Sequence, residues 1–205
     1  NGDETMQAKL NAAYANGGAE LAISTIQKMM NIHIDRYVMV NMHGIQRMVD
    51  AVGGITVNNT LGFPISIQDQ EPFNTISIGV GEQTLNGEEA LVYSRMRYQD
   101  PEGDYGRQKR QREVIQKIVE KILSLNSVSH YQEILKALSD NMQTNIEITT
   151  TTIPQLMGYQ DSFKNIESQQ LRGEDAMIDG TSYQIVTSEH MLEMQNLLRR
   201  SLDKP

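Results

Sequence analysis

The first third of the chain alternates between two hydrophobic periods. Apolar residues recur every three to four positions in residues 17–31 and 43–54, which predicts amphipathic helices. Residues 35–42 and 55–59 are short and rich in strand-forming side chains, and they predict strands. Helices that alternate with strands indicate a layered α/β domain in which the helices pack on a sheet.

The remainder of the chain is mostly helical by the same criterion. Residues 61–81 contain two prolines among polar residues and strand formers, and they predict a loop or a peripheral hairpin. Strands are predicted at residues 168–173 and 182–187. Helices are predicted at residues 85–95, 105–125, 129–142, 150–163 and 188–202.

Bulk composition narrows the class of protein. A chain of 205 residues can bury a substantial core, and we expect one domain over residues 1–205. The net charge of −8 argues against nonspecific binding to nucleic acid or to an anionic membrane surface. The absence of cysteine excludes disulfides and thiolate chemistry, and it is compatible with an extracytoplasmic bacterial protein.

The sequence holds no membrane-spanning segment, because its apolar runs are far shorter than the roughly 20 residues that such a helix needs. It begins at Asn1 and shows no basic segment followed by an apolar one. We therefore expect a signal or membrane anchor to precede this sequence in the full-length protein.

Residues 93–111, YSRMRYQDPEGDYGRQKRQ, carry the most unusual charge pattern of the chain. Between Arg95 and Lys121, eight Lys and Arg residues stand against five Asp and Glu residues, although the whole chain is acidic. A cationic island in an acidic protein indicates a localised anionic partner rather than a general polyanion surface.

The helix predicted from residue 105 places an arginine on its apolar face. At about 100° per residue, four apolar residues lie within about 60° of Arg107: Val114, Ile118, Ile122 and Leu125. Gln111 shares this face and Arg110 lies at its edge, whereas Glu113 falls on the opposite half. Because burying an unpaired guanidinium costs several kcal/mol, we expect Arg107 to face an anion, which the helix N-terminus also favours.

Arg95 and Arg97 lie two positions apart upstream of this helix. In an extended segment they project from one face, and Gly103 and Gly106 allow the loop to turn back toward the helix start. Several guanidinium groups converging at a helix N-terminus would suit a diphosphate. The alternative is a structural salt-bridge network, in which the arginines pair with Asp100, Glu102 and Asp104.

Four segments of this sequence match a known family in the family's own order: KLNAAYANGG (residues 9–18), VNMHGIQRMVDAVGGITVN (40–58), LNGEEALVYSRMR (85–97) and DYGRQKRQREVI (104–115). In these segments the chain resembles the LytR-CpsA-Psr family, the extracytoplasmic enzymes of mainly Gram-positive bacteria that attach glycopolymers to peptidoglycan. The resemblance spans nearly the whole chain. It implies a three-layer α/β/α sandwich with a central mixed sheet, helices on both faces and a lipid-binding groove.

The resemblance also implies roles for individual residues. The family's substrate is a polyprenyl-pyrophosphate-linked glycan, such as wall teichoic acid or capsule, and the arginines that hold its pyrophosphate match Arg95, Arg97 and Arg107. Asp104 matches an acid beside them, expected to orient arginines or to help with metal binding or proton transfer. These four residues are the expected catalytic groups. Further matches expected to bind substrate are Arg110, Gln111 and Lys9.

One part of the family pattern has no counterpart here. The family's upstream segment carries a metal-binding Asp and a Ser-Ile-Pro-Arg-Asp type motif on a core strand, and this sequence begins just after it. The resemblance implies Mg²⁺ as a cofactor; Asp100 and Asp104 are the only candidate ligands that we place in this chain.

The implied reaction is phosphoryl transfer, in which a peptidoglycan sugar hydroxyl attacks the glycan-side phosphorus and polyprenyl phosphate leaves. The enzyme would act outside the cytoplasm, anchored to the membrane, with no role for nucleic acid. The missing upstream motif motivates an alternative function. In that alternative, the protein is a non-catalytic module that binds polyprenyl-phosphate lipids or regulates envelope assembly.

Overall fold

The computed structural model describes residues 9–67, 75–124, 134, 141–146 and 168–202. In these ranges the helices are α1 (Ala12–Met30), α2 (Met42–Ala51), α3 (Gly87–Arg95), α4 (Asp104–Ser124) and α5 (Ser188–Leu202). The strands are β1 (Val38–Val40), β2 (Ile55–Asn59), β3 (Ile65–Ser66), β4 (Ser77–Ile78), β5 (Gly81–Leu85), β6 (Met142–Thr144), β7 (Glu174–Ile178) and β8 (Thr181–Ile185). The chain divides into two compact units, Val38–Ile166 and Asn1–Tyr37 with Glu167–Pro205.

The described strands form antiparallel pairs. In the longest ladder of the larger unit, β2 lies beside β5, with Ile55 opposite Leu85 and Asn59 opposite Gly81. The other pairs are β1 with β6, β3 with β4, and β7 with β8. This mixture of helices and strands confirms the predicted α/β class. The β3–β4 pair is the hairpin predicted for residues 61–81, whereas the prediction of one domain over residues 1–205 stays a prediction.

Helices α2 and α3 begin at asparagine caps, and together they place the start of the segment that carries the arginines. The Asn41 side chain accepts a hydrogen bond from Gly44 N at 2.7 Å, and Asn86 accepts one from Glu89 N at 3.0 Å. Glu89 in turn accepts from Asn86 N at 2.8 Å, which completes a capping box. These local signals explain why the predicted helices at residues 43–54 and 85–95 form close to where the periodicity places them.

The core of the larger unit lies between α2, α3, α4 and the β2–β5 ladder. Val49, Val92, Val114 and Ile118 are fully buried in it. Helices α2 and α3 approach closely because residue 87 is a glycine whose N–H donates to Asp50 Oδ1 at 2.7 Å. The end of α3 and the start of α4 are therefore both supported by this core.

The smaller unit contains α1, α5 and the β7–β8 hairpin. Helix α1 starts earlier than predicted and is broken at Gly17 and Gly18, which leave helical geometry. Gln195 on α5 donates to Met29 O at 2.7 Å. The predicted helix at residues 188–202 is confirmed, whereas the strand predicted at 168–173 is wrong, because the strand there is β7.

The helices predicted at residues 129–142 and 150–163 lie almost entirely outside the described residues. Within the described ranges, no helix is both long enough and apolar enough to cross a bilayer.

Candidate functional site

The candidate site lies where α3 ends and α4 begins, in the larger unit. Helix α3 ends at Arg95, and Met96 leaves it with an extended backbone (φ −56°, ψ 133°). Gly103 has a φ of +55°, a conformation that glycine adopts without steric cost, and its C=O accepts from Arg107 N at 3.2 Å. A short loop, residues 96–103, therefore carries the chain from the C-terminus of one helix to the N-terminus of the next.

Asp104 holds two arginines together at the start of α4. Its Oδ1 lies 2.5 Å from Arg107 Nη2 and 3.7 Å from Arg97 Nε. Its Oδ2 accepts from Gln108 Nε2 at 2.8 Å. The sequence predicted that Arg97 and Arg107 converge beside this acid, and the structure confirms that both approach one carboxylate.

Arg107 retains hydrogen-bonding capacity at this site. Its side chain is 35% exposed, but its Nε is buried and has no hydrogen-bond partner among the described residues. A buried N–H without an acceptor costs free energy, so the position favours an incoming oxygen ligand. The positive end of the 21-residue helix α4 lies at the same place and favours an anion.

Arg110, not Arg107, continues the buried stripe of α4, and here the helical-wheel prediction was wrong. The buried positions of the helix are Gly106, Arg110, Val114 and Ile118. Val114 and Ile118 lie on the predicted face, but Arg107 is only partly buried, and Arg110, predicted at the edge of that face, is buried in its place. The predicted face member Leu125 lies outside the described residues.

The Arg110 guanidinium is enclosed by acceptors of the protein itself. Nε donates to Tyr93 O at 2.9 Å, Nη1 pairs with Asp100 Oδ2, and Nη2 donates to Met96 O. The side chains of Arg110 and Asp100 are only 7% and 2% exposed. This geometry gives Arg110 a bracing role rather than the expected contact with substrate.

The structural alternative from the sequence is thus correct for part of the cluster. Asp100 pairs with Arg110, Glu102 pairs with Lys109, and Asp104 pairs with Arg107. Arg95 is different, since this partly buried side chain makes no ion pair or side-chain hydrogen bond within the described part of the chain. The site therefore contains both braced and available guanidinium groups.

The carboxylates of the described residues do not fit a magnesium site. Asp100 Oδ1 accepts from Glu102 N at 2.7 Å while Oδ2 faces Arg110, and both oxygens of Asp104 face donors. Where the chain is described, no three His, Asp or Glu side chains are grouped so that they could hold a metal ion. Acceptors already engaged by cations are poor ligands for Mg²⁺, which needs several free oxygens.

Tyr93 and Glu113 form a contact that the sequence did not predict. The buried Tyr93 hydroxyl donates to Glu113 Oε2 at 2.7 Å, and Asn58 N donates to Glu113 Oε1 at 3.3 Å. Burial raises the pKa of the Tyr93 phenol well above its ordinary value, and the hydrogen bond to Glu113 raises it further. Glu113 was expected on the outer half of α4; the apolar position of Tyr93 on α3 was the one signal that a partner would be required.

Two further predicted residues are placed as follows. Gln111 Nε2 donates to Ser94 O at 3.3 Å, next to Arg95. Lys9 belongs to the smaller unit, where its Nζ lies 5.1 Å from the centre of the Tyr183 ring. The expected contacts of both residues with substrate stay predictions.

Guanidinium groups gathered at a helix N-terminus in an α/β unit are an arrangement that suits an anionic ligand. The LytR_cpsA_psr family matches residues 1–200, and the chain belongs to this family. The predicted family resemblance is therefore confirmed.

Named relatives agree with this assignment. Biofilm regulatory protein A of Streptococcus mutans is 60% identical over 195 residues, which are 95% of this chain and 48% of that protein. The Enterococcus faecalis polyisoprenyl-teichoic acid–peptidoglycan teichoic acid transferase TagU is 49% identical over 197 residues, 96% of this chain and 62% of that protein. The chain thus spans about half to three fifths of these relatives.

A crystal structure of a Streptococcus agalactiae protein superimposes with a TM-score of 0.91 at 57% identity. The superposition covers 100% of this chain and 69% of that one. The similarity of the fold therefore extends over both compact units.

Proposed function

We propose that this chain is the catalytic part of a phosphotransferase that moves a polyprenyl-pyrophosphate-linked glycopolymer onto peptidoglycan. The observation that carries the proposal is Arg107, whose buried Nε has no partner in the described ranges while one Asp104 oxygen holds its Nη2 beside Arg97. Two guanidinium groups fixed at a helix N-terminus are suited to a ligand with two adjacent phosphates.

Substrate binding follows from the donors that remain available. Arg107 offers Nε and its second Nη nitrogen, and the ion pair of the half-exposed Arg97 with Asp104 is a single 3.7 Å contact through Nε. Arg95, with no partner in the described residues, supplies a third guanidinium from the end of α3. Together these groups would neutralise the charge of a diphosphate and orient it.

The transfer step balances as a substitution at phosphorus. A peptidoglycan sugar hydroxyl forms a new P–O bond to the glycan-side phosphorus, and the bond to the bridging oxygen breaks. Polyprenyl phosphate leaves with that electron pair, and the hydroxyl proton passes to a base or to solvent. The arginines stabilise negative charge on the transferred group and on the leaving phosphate.

Asp104 fits an orienting role in this scheme. Its two oxygens accept from Arg107, Arg97 and Gln108, so its lone pairs are committed to donors that it positions. A carboxylate whose oxygens are occupied by these donors is suited to holding the arginines in place. We therefore assign Asp104 to the alignment of the arginines.

Teichoic acid is the glycopolymer that the proposal favours. The name of the Enterococcus faecalis relative gives a polyisoprenyl-linked teichoic acid as donor and peptidoglycan as acceptor for that protein. We extend this donor class to the present chain on the basis of the shared family and the available arginines.

Mg²⁺ remains part of the proposal as an expected cofactor of the whole protein. A bound divalent cation would add further charge stabilisation at the phosphates, but the described carboxylates do not fit such a site and no step is assigned to it. Titration with Mg²⁺ and isothermal calorimetry would measure whether this chain binds the ion without substrate.

The location proposed for the full-length protein is the outer side of the cytoplasmic membrane, held by an N-terminal anchor. Peptidoglycan, the acceptor, lies on that side. Protease treatment of intact protoplasts should digest the protein, and protection from the protease would contradict this location.

A non-catalytic role in binding polyprenyl-phosphate lipids or in regulation is the second candidate. The oxygens of Asp100 and Asp104 already accept from arginines, from Gln108 and from Glu102 N, and this favours the second candidate because neither carboxylate is available as a base or metal ligand. The name of the Streptococcus mutans relative, a biofilm regulatory protein, is compatible with such a role.

Transfer from a lipid-diphosphate-linked glycan to peptidoglycan fragments, followed by the release of polyprenyl phosphate, tests the proposal. The chain should catalyse release, and Arg107→Ala should abolish it while Lys121→Ala, at the exposed far end of α4, retains it. Tight binding of the lipid with no release under any metal condition would instead support the non-catalytic role.

A further inference from the structure

One buried guanidinium fixes the backbone on both sides of Arg95. The carbonyls of Tyr93 and Met96 lie at the C-terminal end of α3, where helix carbonyls have no partner within the helix. Arg110 on α4 donates to both, from Nε and from Nη2 respectively. Arg110 therefore caps α3 from a neighbouring helix and holds the residues that precede and follow Arg95.

The next residue of α4 adds a third point to this cap. Gln111 Nε2 donates to Ser94 O at 3.3 Å, so two consecutive residues of α4 bind three carbonyls at the C-terminal end of α3, two in its last turn and one at the residue after it. The position of Arg95 relative to α4 is thus set by backbone contacts, and its own side chain is left without a partner among the described residues.

Asp100 extends the same arrangement to the loop that carries Arg97. Its Oδ2 pairs with Arg110 Nη1, and its Oδ1 accepts from Glu102 N at 2.7 Å. The loop is closed by backbone hydrogen bonds from Asp100 N to Arg97 O at 3.2 Å and from Gly103 N to Asp100 O at 2.9 Å. The buried carboxylate therefore fixes where Arg97 lies relative to α4.

The first turn of α4 is shaped to receive this carboxylate. Residue 106 is a glycine, and a β-carbon there would overlap the Asp100 carboxylate. Arg107 follows directly in the sequence, so its position depends on how closely the helix approaches Asp100. The buried Asp100–Arg110 ion pair therefore fixes the backbone near each of the three arginines, Arg95, Arg97 and Arg107.

We propose that Asp100 and Arg110 are positioning residues, which hold Arg95, Arg97 and Arg107 at the mutual spacing that a diphosphate requires. This inference rests on the proposed function for its ligand. Both side chains are almost entirely buried and hydrogen-bonded within the protein, so the pair acts through the three arginines. A rigid arrangement of binding groups lowers the entropy cost of binding, and a ligand that spans two phosphates depends on the spacing more than a monophosphate does.

The Lys109–Glu102 ion pair provides a matched control. It also joins the 96–103 loop to α4, but its side chains are 50% and 39% exposed. Exposed ion pairs contribute little to rigidity because solvent competes for them. Lys109→Met should therefore leave both the loop and the binding properties as they are in the wild type.

The test compares the wild-type 205-residue chain with Arg110→Lys, with the double variant Asp100→Asn/Arg110→Met, and with Lys109→Met. Lysine keeps the charge of Arg110 but cannot bind all its acceptors at once. The double variant removes both charges, which avoids leaving one buried ion unpaired. Affinities for farnesyl pyrophosphate and farnesyl monophosphate are measured by calorimetry below the melting temperature of each variant, and amide hydrogen exchange of residues 96–103 is measured without ligand.

Both positioning variants should exchange these amides faster than the wild type. Their preference for the pyrophosphate over the monophosphate should fall by about tenfold, because small displacements of binding groups have large effects. A lower melting temperature with unchanged exchange and unchanged preference would overturn the inference, since a merely structural pair predicts that result. Failure of the wild type to prefer the pyrophosphate would overturn the proposed function, and the exchange measurement would still decide whether the pair fixes the loop.

Discussion

Gly106 lies against Asp100 so closely that a β-carbon at position 106 would overlap the Cγ and both oxygens of the carboxylate. The glycine is in helix α4, where a side chain would ordinarily be tolerated. Because residue 106 has no side chain, the Asp100–Arg110 pair can lie beneath the first turn of the helix. The sequence suggested that Gly106 serves a tight turn; the structure gives it the different role of close approach.

Gly106→Ala should destabilise the protein in spite of the better helix propensity of alanine. Propensity favours alanine by about 1 kcal/mol, whereas overpacking at a tight contact costs about 1–3 kcal/mol, so we expect a net loss of about 1 kcal/mol. Urea unfolding measures the difference. Gly103→Ala is the control, because the space around residue 103 is open but its φ is +55°, so its loss of stability should come from backbone strain. Replacing Asp100 by Ser should reduce the loss of stability caused by Gly106→Ala. The same replacement should leave the loss caused by Gly103→Ala unchanged.

Arg107→Ala should separate binding from stability. The Arg107–Asp104 pair is more than one third exposed, so its loss should change the free energy of unfolding by less than about 1 kcal/mol. Saturating farnesyl pyrophosphate should raise the melting temperature of the wild type but not of the variant, because ligand binding stabilises only a protein that binds it. Lys121→Ala should respond like the wild type. Equal stabilisation of Arg107→Ala and wild type would exclude Arg107 from the anion site.

Tyr93→Phe should destabilise the protein in a pH-dependent manner. Near neutral pH the variant loses the hydrogen bond from the buried Tyr93 hydroxyl to the partly buried Glu113, and it should be less stable by about 1–2 kcal/mol, since hydrogen bonds to charged groups contribute about this much. The folded protein raises the pKa of Tyr93, so its protonated form is favoured on folding. The contribution of the protonated phenol to the free energy of unfolding is fully present below the pKa of the unfolded chain, about 10, and it is lost as the pH rises from that value through the higher pKa of the folded protein.

Unfolding free energies measured between pH 7 and pH 11 check this sign. The wild type should lose stability above about pH 10 more steeply than Tyr93→Phe. Parallel curves for the two proteins would contradict the contribution assigned to the Tyr93 phenol.

Asn59 should be one of the least replaceable polar residues of the larger unit. It is only 1% exposed; its Nδ2 donates to Phe63 O at 2.9 Å and to Gly79 O at 3.0 Å, and its Oδ1 accepts from Leu61 N. Asn59→Ala removes these three hydrogen bonds to partly buried backbone groups and should cost about 3 kcal/mol, at about 1 kcal/mol for each bond. The neighbouring Asn58 is exposed, and Asn58→Ala should change the stability by no more than about 0.5 kcal/mol. Similar unfolding midpoints for the two variants would contradict this assignment.

Local signals accounted for much of the fold. Asn86 and Glu89 define the start of α3, and the alternation of residues 55–59 defines β2, because caps and strand patterns depend on neighbours in the sequence. The prediction of a strand at residues 168–173 was wrong. The chain instead pairs Glu174–Ile178 with Thr181–Ile185 around a tight turn at Asp179 and Gly180, and hairpin pairing outweighs the propensity of a single segment.

The site was predictable in composition but not in detail. Charge counting and helical periodicity located the arginines around residues 95–110. The salt-bridge alternative and the family resemblance added the approach of arginines to Asp104, which Arg97 and Arg107 make. They did not distinguish which arginine is buried. Arg107 and Arg110 are separated by only about 60° around α4, and the direction from which α3 packs decides which of them is buried.

The sequence by itself determined that this is an α/β protein of the LytR-CpsA-Psr family with a cationic segment at the start of a long helix. Element type, caps and charge are set by residues close together in the chain, so they are visible without coordinates. Only the tertiary structure decided that Arg110 and Asp100 are enclosed while Arg95 and the Nε of Arg107 keep capacity for a ligand. Which donors are satisfied depends on acceptors such as Tyr93 O and Met96 O, and packing between helices brings these carbonyls to Arg110.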